Sequence, residues 1–188
     1  MTIFFSKRIA FLDEITINQI AAGEVVENSA SVIKELIENS LDAQATEIFI
    51  EIRGEGRGLI RITDNGEGIH PEDLLLSIAR NATSKIRLVD DLNQLMSLGF
   101  RGEALAAIAS VSKIEILTSA EKGGKGFLLK AEGARVEQVV PAARTQGTTV
   151  EVNSLFFNVP ARRKFQKNAS SRIWGDSQNS YAICFMLS

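Results

Sequence analysis

The spacing of apolar residues alternates along the chain between a helical and an extended period. Residues 16–43 carry apolar side chains at helical spacing with a break near Asn28 and Ser29, which predicts two consecutive helices. A glycine-rich turn then joins two strand-like runs, 47–53 and 59–63. Farther on, a helix-prone segment at 103–110 precedes four more strand-like runs, at 113–118, 126–131, 135–140 and 148–152.

This order of elements predicts an α+β fold. We expect a two-layer α/β sandwich, with helices on one face of a mixed, mostly antiparallel sheet. Between the second and third strands, Pro71 suits the first position of a helix that runs to Ile78. Residues 81–102 are only partly periodic and predict a long loop with a short helix inside it.

Composition excludes several classes of protein. The 188 residues suffice for one domain, and a net charge of −2 gives no overall basic field for nucleic acid or anionic lipid. A single cysteine, Cys184, excludes an internal disulfide and a multi-cysteine zinc site, and His70, the one histidine, is expected in a solvated turn. No stretch approaches the ~20 apolar residues of a membrane span, so we predict a cytoplasmic protein without membrane contact. Neither a P-loop motif nor a dinucleotide-binding glycine motif is present.

The helix predicted at 31–43 has an acidic side. Glu35, Glu38, Asn39 and Asp42 are three, four or seven residues apart and share that side. A solvated acidic surface would explain the pattern. Alternatively, Glu35 is a general base and Asn39 a ligand of Mg²⁺, which prefers oxygen donors and completes its shell with water and nucleotide phosphates.

The segment 64–68 (DNGEG) ends the second strand. Asp, Asn and Gly are the usual turn formers, so an ordinary turn would account for it. In a binding site, the Asp64 carboxylate would accept a hydrogen bond from an exocyclic amine, and Gly66 and Gly68 would let a flat base approach the backbone. An adenine pocket needs such a group.

A third segment, 98–105 (LGFRGEAL), is a glycine-flanked loop that opens a helix. It is either a simple helix start or a phosphate site, in which free backbone N–H groups and Arg101 would bind the anion.

Seven segments together resemble the ATPase region of the MutL-type DNA mismatch repair proteins, a branch of the GHKL superfamily. They read INQIAAGEVVE, IENSLDA, DNGEGI, ATSKI, LGFRGEAL, GTTVEV and LFFNVPARRKF, and the resemblance covers roughly residues 13–167. It implies a GHKL (Bergerat) fold and hydrolysis of ATP with Mg²⁺.

The resemblance also implies a role for each matching residue. Glu35 would polarise the attacking water, Asn39 would hold Mg²⁺, and Asp64 would bind the adenine amine with help from Thr148. Gly66 and Gly68 would shape the pocket. The residues implied in the lid are Ala82, Thr83, Ser84 and Lys85, and those implied around the phosphates are Gly99, Phe100, Arg101, Gly102, Glu103, Ala104 and Leu105.

In this family ATP acts as a switch, which implies that residues 1–19 form an N-terminal arm through which two copies dimerise. The implied partners are a mismatch-recognition protein of the MutS type and DNA, the latter bound weakly and without sequence specificity. Arg162, Arg163, Lys164 and Lys167 form either a phosphate-binding patch or a solvated helix end.

The sequence departs from the family at three places. Residues 27–31 (ENSAS) lack the usual proline, although Asn or Ser can cap the helix. Gln44 stands where glycine is usual, so we expect the backbone there to avoid the left-handed conformation. The third place is the end, where residues 169–188 do not match the family. We predict an ATP-binding domain at 1–168 and a tail at 169–188, and we expect the second and dimerisation domains to be absent and turnover to be weak.

Two alternatives stay open. One is another GHKL branch, such as a histidine kinase, although the chain has one histidine and no phosphoacceptor domain. The other is a module that senses nucleotide or partners without turnover.

Overall fold

A computed structural model describes residues 9–56, 58–83, 103–163 and 180–186 of the protein. The helices within these ranges are α1 (Glu14–Val25), α2 (Ser29–Asp42) and α3 (Ala104–Ser110). The strands are β1 (Glu47–Arg53), β2 (Leu59–Asp64), β3 (Lys113–Ser119), β4 (Lys125–Glu132), β5 (Arg135–Ala143), β6 (Gly147–Asn153) and β7 (Ser180–Met186). Among these described residues, no helix has the length and apolar composition to cross a membrane.

The break predicted between the first two helices is confirmed, and side-chain caps explain it. The Asp13 carboxylate accepts a hydrogen bond from the Thr16 amide at 2.9 Å at the start of α1. Asn28 accepts one from the Ser31 amide at 3.0 Å at the start of α2. Each cap satisfies an amide that the first turn of a helix leaves unpaired. Asn28 therefore replaces the missing proline as a start signal.

The strands form one seven-stranded sheet in the order β5-β4-β3-β6-β2-β1-β7. Every pairing between described strands is antiparallel, so the parallel pair expected in a mixed sheet is not found among them. The predicted α+β sandwich is otherwise confirmed. The sequence pattern did not predict β7, which pairs along its whole length with β1 at one edge of the sheet.

Alternation along the strands separates an apolar face from a charged one. Opposite partners in register share a face, and one apolar row crosses five strands at Ile50, Ile62, Val150, Ile116 and Leu129. All five are buried, together with Val32 and Leu36 of α2 and Ile108 of α3. The next row, on the opposite face, is charged and runs through Glu51, Arg61, Glu151, Glu115 and Lys130. The helices therefore cover the apolar face.

The predicted helix from Pro71 to Ile78 is wrong. Two short 3-10 turns occupy this segment, Pro71–Asp73 and Leu76–Ile78. The Ser77 hydroxyl donates to the Leu74 carbonyl at 2.7 Å and so competes for the acceptor that a continuing α-helix would need. His70 is exposed and caps the first turn, as expected of a turn histidine. Most of the loop predicted at 81–102 lies outside the described residues.

The end of α2 also differs from the prediction. Gln44 has φ +57°, so it adopts the left-handed conformation that we expected it to avoid. The Gln44 amide donates to Leu41 O at 2.9 Å and the Ala45 amide to Ser40 O at 3.1 Å, which is the Schellman pattern of helix ends. Ala45 is buried, and these bonds and its packing hold Gln44 in place. The chain keeps the turn and carries the strain that glycine would avoid.

Candidate functional site

Asp64 is the last residue of β2 and projects from the helix-covered face of the sheet. Only 8% of its surface is exposed. Its Oδ1 accepts hydrogen bonds from the amides of Gly66 at 2.9 Å and Thr148 at 3.1 Å, while its Oδ2 accepts one from the Ser40 hydroxyl at 3.1 Å. Burial raises the pKa of Asp64, and these hydrogen bonds and the charge of Arg144 oppose that rise. The site therefore has a fixed, buried acceptor.

Glycines surround this carboxylate where neighbouring chains come close. A Cβ on Gly66 would lie 2.6 Å from the Ala43 carbonyl oxygen. Gly68 (φ +76°) and Gly147 (φ +123°) have backbone angles that side chains disfavour, and a Cβ there would collide with the carbonyl oxygens of Ser119 and Asp64. Close packing of neighbouring main chain therefore requires glycine at these positions, and the predicted roles of Gly66 and Gly68 in shaping a pocket stay predictions.

Two threonines continue the site across the adjacent strands. The hydroxyls of Thr118 on β3 and Thr148 on β6 are 2.9 Å apart, and both residues are buried. Thr118 Oγ1 also accepts from the Ile69 amide at 2.9 Å, which ties the segment after Gly68 to the sheet. Thr148 thus lies beside Asp64, to which its amide donates, and its predicted contact with the adenine amine stays a prediction.

Helix α2 brings Glu35 and Asn39 to the same region. Ser40 follows Asn39 directly, and its hydrogen bond to Asp64 fixes the C-terminal half of α2 against the end of β2. Glu35 lies one turn earlier, and both Glu35 and Asn39 are half-buried. Glu35 and Asn39 therefore lie one turn apart on one side of α2, and their predicted roles stay predictions.

Part of the predicted site lies outside the described residues, namely Ser84, Lys85, Gly99, Phe100, Arg101 and Gly102. Ala82 and Thr83 are half-buried and follow the second 3-10 turn. Glu103 precedes α3, which begins with Ala104 and Leu105. The roles of these residues in the lid and around the phosphates stay predictions.

Sequence reasoning missed three residues that shape the site. Ser40 occupies the buried stripe of α2 with Val32 and Leu36, and a polar residue in such a stripe is a signal that could have revealed it. The Asn65 side chain accepts hydrogen bonds from the amides of Thr46 and Glu47, each at 2.9 Å, and so anchors the loop. Arg144 has no sequence signal, because its contacts depend on the approach of distant strands.

The predicted basic patch is only partly exposed. Arg162 Nη1 donates to the Val26 carbonyl at 2.8 Å, and its guanidinium lies 5.8 Å from the centre of the Phe156 ring. The Arg163 side chain is exposed, whereas Lys164 and Lys167 lie outside the described residues. Arg162 therefore joins the end of α1 to the segment after β6.

Comparison with known proteins places residues 26–153 in the family model described as histidine kinase-, DNA gyrase B- and HSP90-like ATPase. The chain is 58% identical over 154 residues to the DNA mismatch repair protein MutL of Xanthomonas axonopodis pv. citri, covering 82% of this chain and 25% of that protein. It is also 58% identical over 163 residues to MutL of Chlamydia pneumoniae, covering 87% and 28%. The chain thus spans about a quarter of the length of these curated relatives.

Solved structures show the same likeness. The Aquifex aeolicus MutL ATPase domain complexed with ADP matches with a TM-score of 0.56 and 37% identity, covering 75% of this chain and 48% of that chain. The N-terminal domain of a DNA repair protein matches with a TM-score of 0.68 and 30% identity, covering 83% and 44%.

Proposed function

The chain belongs to the histidine kinase-, DNA gyrase B- and HSP90-like ATPase family, and from this premise we propose that it binds ATP beside Asp64 and hydrolyses it. The observation that carries the proposal is the Asp64 carboxylate, buried and held by two amides and a hydroxyl at the end of β2. The similar Aquifex aeolicus ATPase domain, which was solved with ADP, supports it.

Recognition of adenine would use Asp64 as the acceptor of the exocyclic amine. A carboxylate whose Oδ1 is occupied by the amides of Gly66 and Thr148 has remaining acceptor capacity on Oδ2. Because the carboxylate cannot donate when it is ionised, it discriminates against a base with a carbonyl at the same position. Gly66 and Gly68 are proposed to shape the pocket around the base.

Hydrolysis would depend on Glu35. As a general base, its carboxylate takes a proton from the attacking water while the water oxygen forms a bond to the γ-phosphorus. The bond between the γ-phosphorus and the bridging oxygen breaks in line, and ADP leaves with the electron pair. Lys85 and the loop 99–105 are proposed to neutralise the phosphates.

The residues present suit a magnesium site that relies on the nucleotide. No group of three or more His, Cys, Asp or Glu side chains that could hold a metal occurs among residues 9–56, 58–83, 103–163 and 180–186. We propose that one amide oxygen, that of Asn39, would bind the ion, and that phosphates and the waters that Mg²⁺ usually keeps would complete its shell. When bound, Mg²⁺ would supply positive charge to the phosphates.

We further propose a role in DNA mismatch repair, because the MutL proteins are similar over more than four-fifths of the chain. ATP binding would order an N-terminal arm, predicted at 1–19, and drive dimerisation of the longer protein. That dimer would couple a mismatch-recognition protein of the MutS type to later repair factors, in the cytoplasm and with weak contact to DNA.

The test compares Glu35→Gln with Glu38→Gln. Glu38 is on the same helix and pairs with exposed Lys34 at 3.4 Å, so its substitution changes charge equally outside the proposed chemistry. We expect Glu35→Gln to bind a non-hydrolysable ATP analogue as the unmodified chain does and to lose ~10²- to 10⁴-fold in hydrolysis. Equal turnover in both variants would contradict the role of Glu35. Binding without phosphate release in the unmodified chain would identify a nucleotide-sensing module.

A further inference from the structure

Arg144 connects the ends of the two strands that carry Asp64 and Thr148. It lies in the short connection between β5 and β6, and its side chain is half-buried. Its Nη2 donates to the Asp64 carbonyl at 2.9 Å, its Nε to the Gly147 carbonyl at 3.1 Å, and its Nη1 to the Thr149 hydroxyl at 2.8 Å. One guanidinium therefore contacts three points on β2 and β6.

These contacts lie where the regular pairing of the two strands stops. Thr63 and Thr149 are the last pair in register, and their hydroxyls are 3.0 Å apart. One residue farther, the Thr148 amide donates to the side chain of Asp64, while the carbonyl of Asp64 accepts from Arg144. At this position the Thr148 amide is bonded to the side chain of Asp64 and not to its backbone carbonyl. Arg144 therefore supplies the donor that holds the Asp64 carbonyl.

We infer that Arg144 is a positioning residue for adenine recognition: its three hydrogen bonds fix the backbone that aims the Asp64 carboxylate. The inference rests on the proposed function, since it concerns the group that would bind the adenine amine. Planar guanidinium geometry suits this role, because three donors in fixed directions can hold three acceptors at once.

The described elements packed against Asp64 present neutral groups to its carboxylate, so the charge that influences it comes from Arg144. Helix α2 presents the Ser40 hydroxyl, β6 the Thr148 amide, the loop after β2 the Gly66 amide, and β1 the apolar side chain of Ile48, its partner in register. Burial raises the pKa of Asp64; the hydrogen bonds from Gly66, Thr148 and Ser40 oppose that rise most, and the charge of Arg144 adds to them. Neutralising Arg144 should therefore raise the pKa of Asp64 further.

The test measures binding of ADP and of inosine diphosphate between pH 5 and 8. The two ligands share their phosphates and ribose, but inosine has a carbonyl where adenine has the amine. The ratio of the two Kd values therefore isolates contact with the base. The proteins are the unmodified chain, Arg144→Gln, Arg144→Lys and the control Arg135→Gln, which changes an exposed arginine on β5.

We expect the unmodified chain and Arg135→Gln to prefer ADP by about ten-fold or more. In Arg144→Gln the preference should fall by about ten-fold at pH 7, and what remains should be lost at a higher pH than in the unmodified chain. Arg144→Lys keeps the charge but not the planar guanidinium. It should therefore lose the preference for ADP at the same pH as the unmodified chain, while the preference itself should be only partly recovered.

Different results would overturn different claims. If the unmodified chain binds ADP and inosine diphosphate equally, the proposed adenine site itself is wrong. A clear preference in the unmodified chain that Arg144→Gln retains with the same pH profile would overturn the inference about Arg144 alone. A parallel loss of both ligands with an unchanged ratio would reduce Arg144 to a structural role. If Arg144→Gln does not fold, Arg144→Lys still decides, because an unchanged ratio there would refute the need for the planar guanidinium.

Discussion

The Ser40 hydroxyl of α2 and the Asp64 carboxylate of β2 are joined by a hydrogen bond of 3.1 Å, although 24 residues separate them in the sequence. Both side chains are buried. This contact fixes the helix that carries Glu35 and Asn39 against the strand that carries the proposed adenine acceptor. The hydrogen bond therefore joins the helix of the proposed general base, Glu35, to the strand of the proposed adenine acceptor, Asp64.

The first prediction concerns pH and Asp64→Asn. Burial raises the pKa of Asp64 in the folded protein above its ordinary value of 3.8, so the folded state binds this proton more tightly than the unfolded state. Its favourable contribution to stability is complete below that ordinary value and is lost as the pH rises through the folded-state pKa. We expect the free energy of unfolding of the unmodified chain, minus that of Asp64→Asn, to fall over this range in urea titrations. A difference that grew with pH would show that hydrogen bonds outweigh burial.

The second prediction separates steric conflict from backbone strain at three glycines. Gly123 has open space and no unusual φ, Gly124 has open space and φ +79°, and Gly68 has φ +76° and no room for a Cβ. Alanine should cost little stability at Gly123, about 1 kcal/mol at Gly124, and more than about 3 kcal/mol at Gly68. Urea unfolding of the three variants measures this order, and equal losses at Gly68 and Gly124 would contradict the steric argument.

The third prediction is that Gln44→Gly stabilises the protein. The left-handed conformation of Gln44 costs a side chain roughly 1–2 kcal/mol, which glycine avoids while losing more entropy on folding. We expect a net gain of about 0.5–1 kcal/mol and a rise in Tm of a few degrees. Gln44→Ala keeps the same strain and is the control, and a gain of equal size in that variant would disprove the explanation.

The fourth prediction compares two adjacent arginines. Arg162→Ala removes a charged donor from the Val26 carbonyl and a cation from the Phe156 ring, so it should destabilise the fold by about 1.5–3 kcal/mol. Arg163→Ala removes an exposed side chain and should change stability by less than ~0.5 kcal/mol. Thermal unfolding of both variants tests the difference. Equal effects would mean that Arg162 does not support α1.

Local patterns predicted most of the fold, and long-range contacts account for the failures. The alternation of Ile48, Ile50 and Ile52 was sufficient to predict β1. The helix predicted after Pro71 is two 3-10 turns in the structure, a distinction that apolar periodicity does not record. Strand β7 was missed because its pairing with β1 joins segments more than 120 residues apart.

The candidate site shows the same difference between what local patterns predict and what depends on long-range contacts. Asp64 and Gly66 were predicted as site residues from a short motif whose residue types suit the proposed chemistry, and the structure describes both. Arg144 was missed because its bond to the Asp64 carbonyl spans 80 residues, and nothing around it in the sequence indicates that contact.

We call the main chain packed around Gly66, Gly68 and Gly147 the backbone floor of the site. This floor determines which positions tolerate substitution. Gly66, Gly68 and Gly147 contribute to that floor by the absence of a side chain, since a single methyl group on any of them would meet a carbonyl oxygen. Every other residue type would add a side chain at these three positions. The atom that lies nearest to each added Cβ belongs to the main chain, which all residue types share. Variation at Ala43 can therefore preserve the shape of this region where variation at the three glycines cannot.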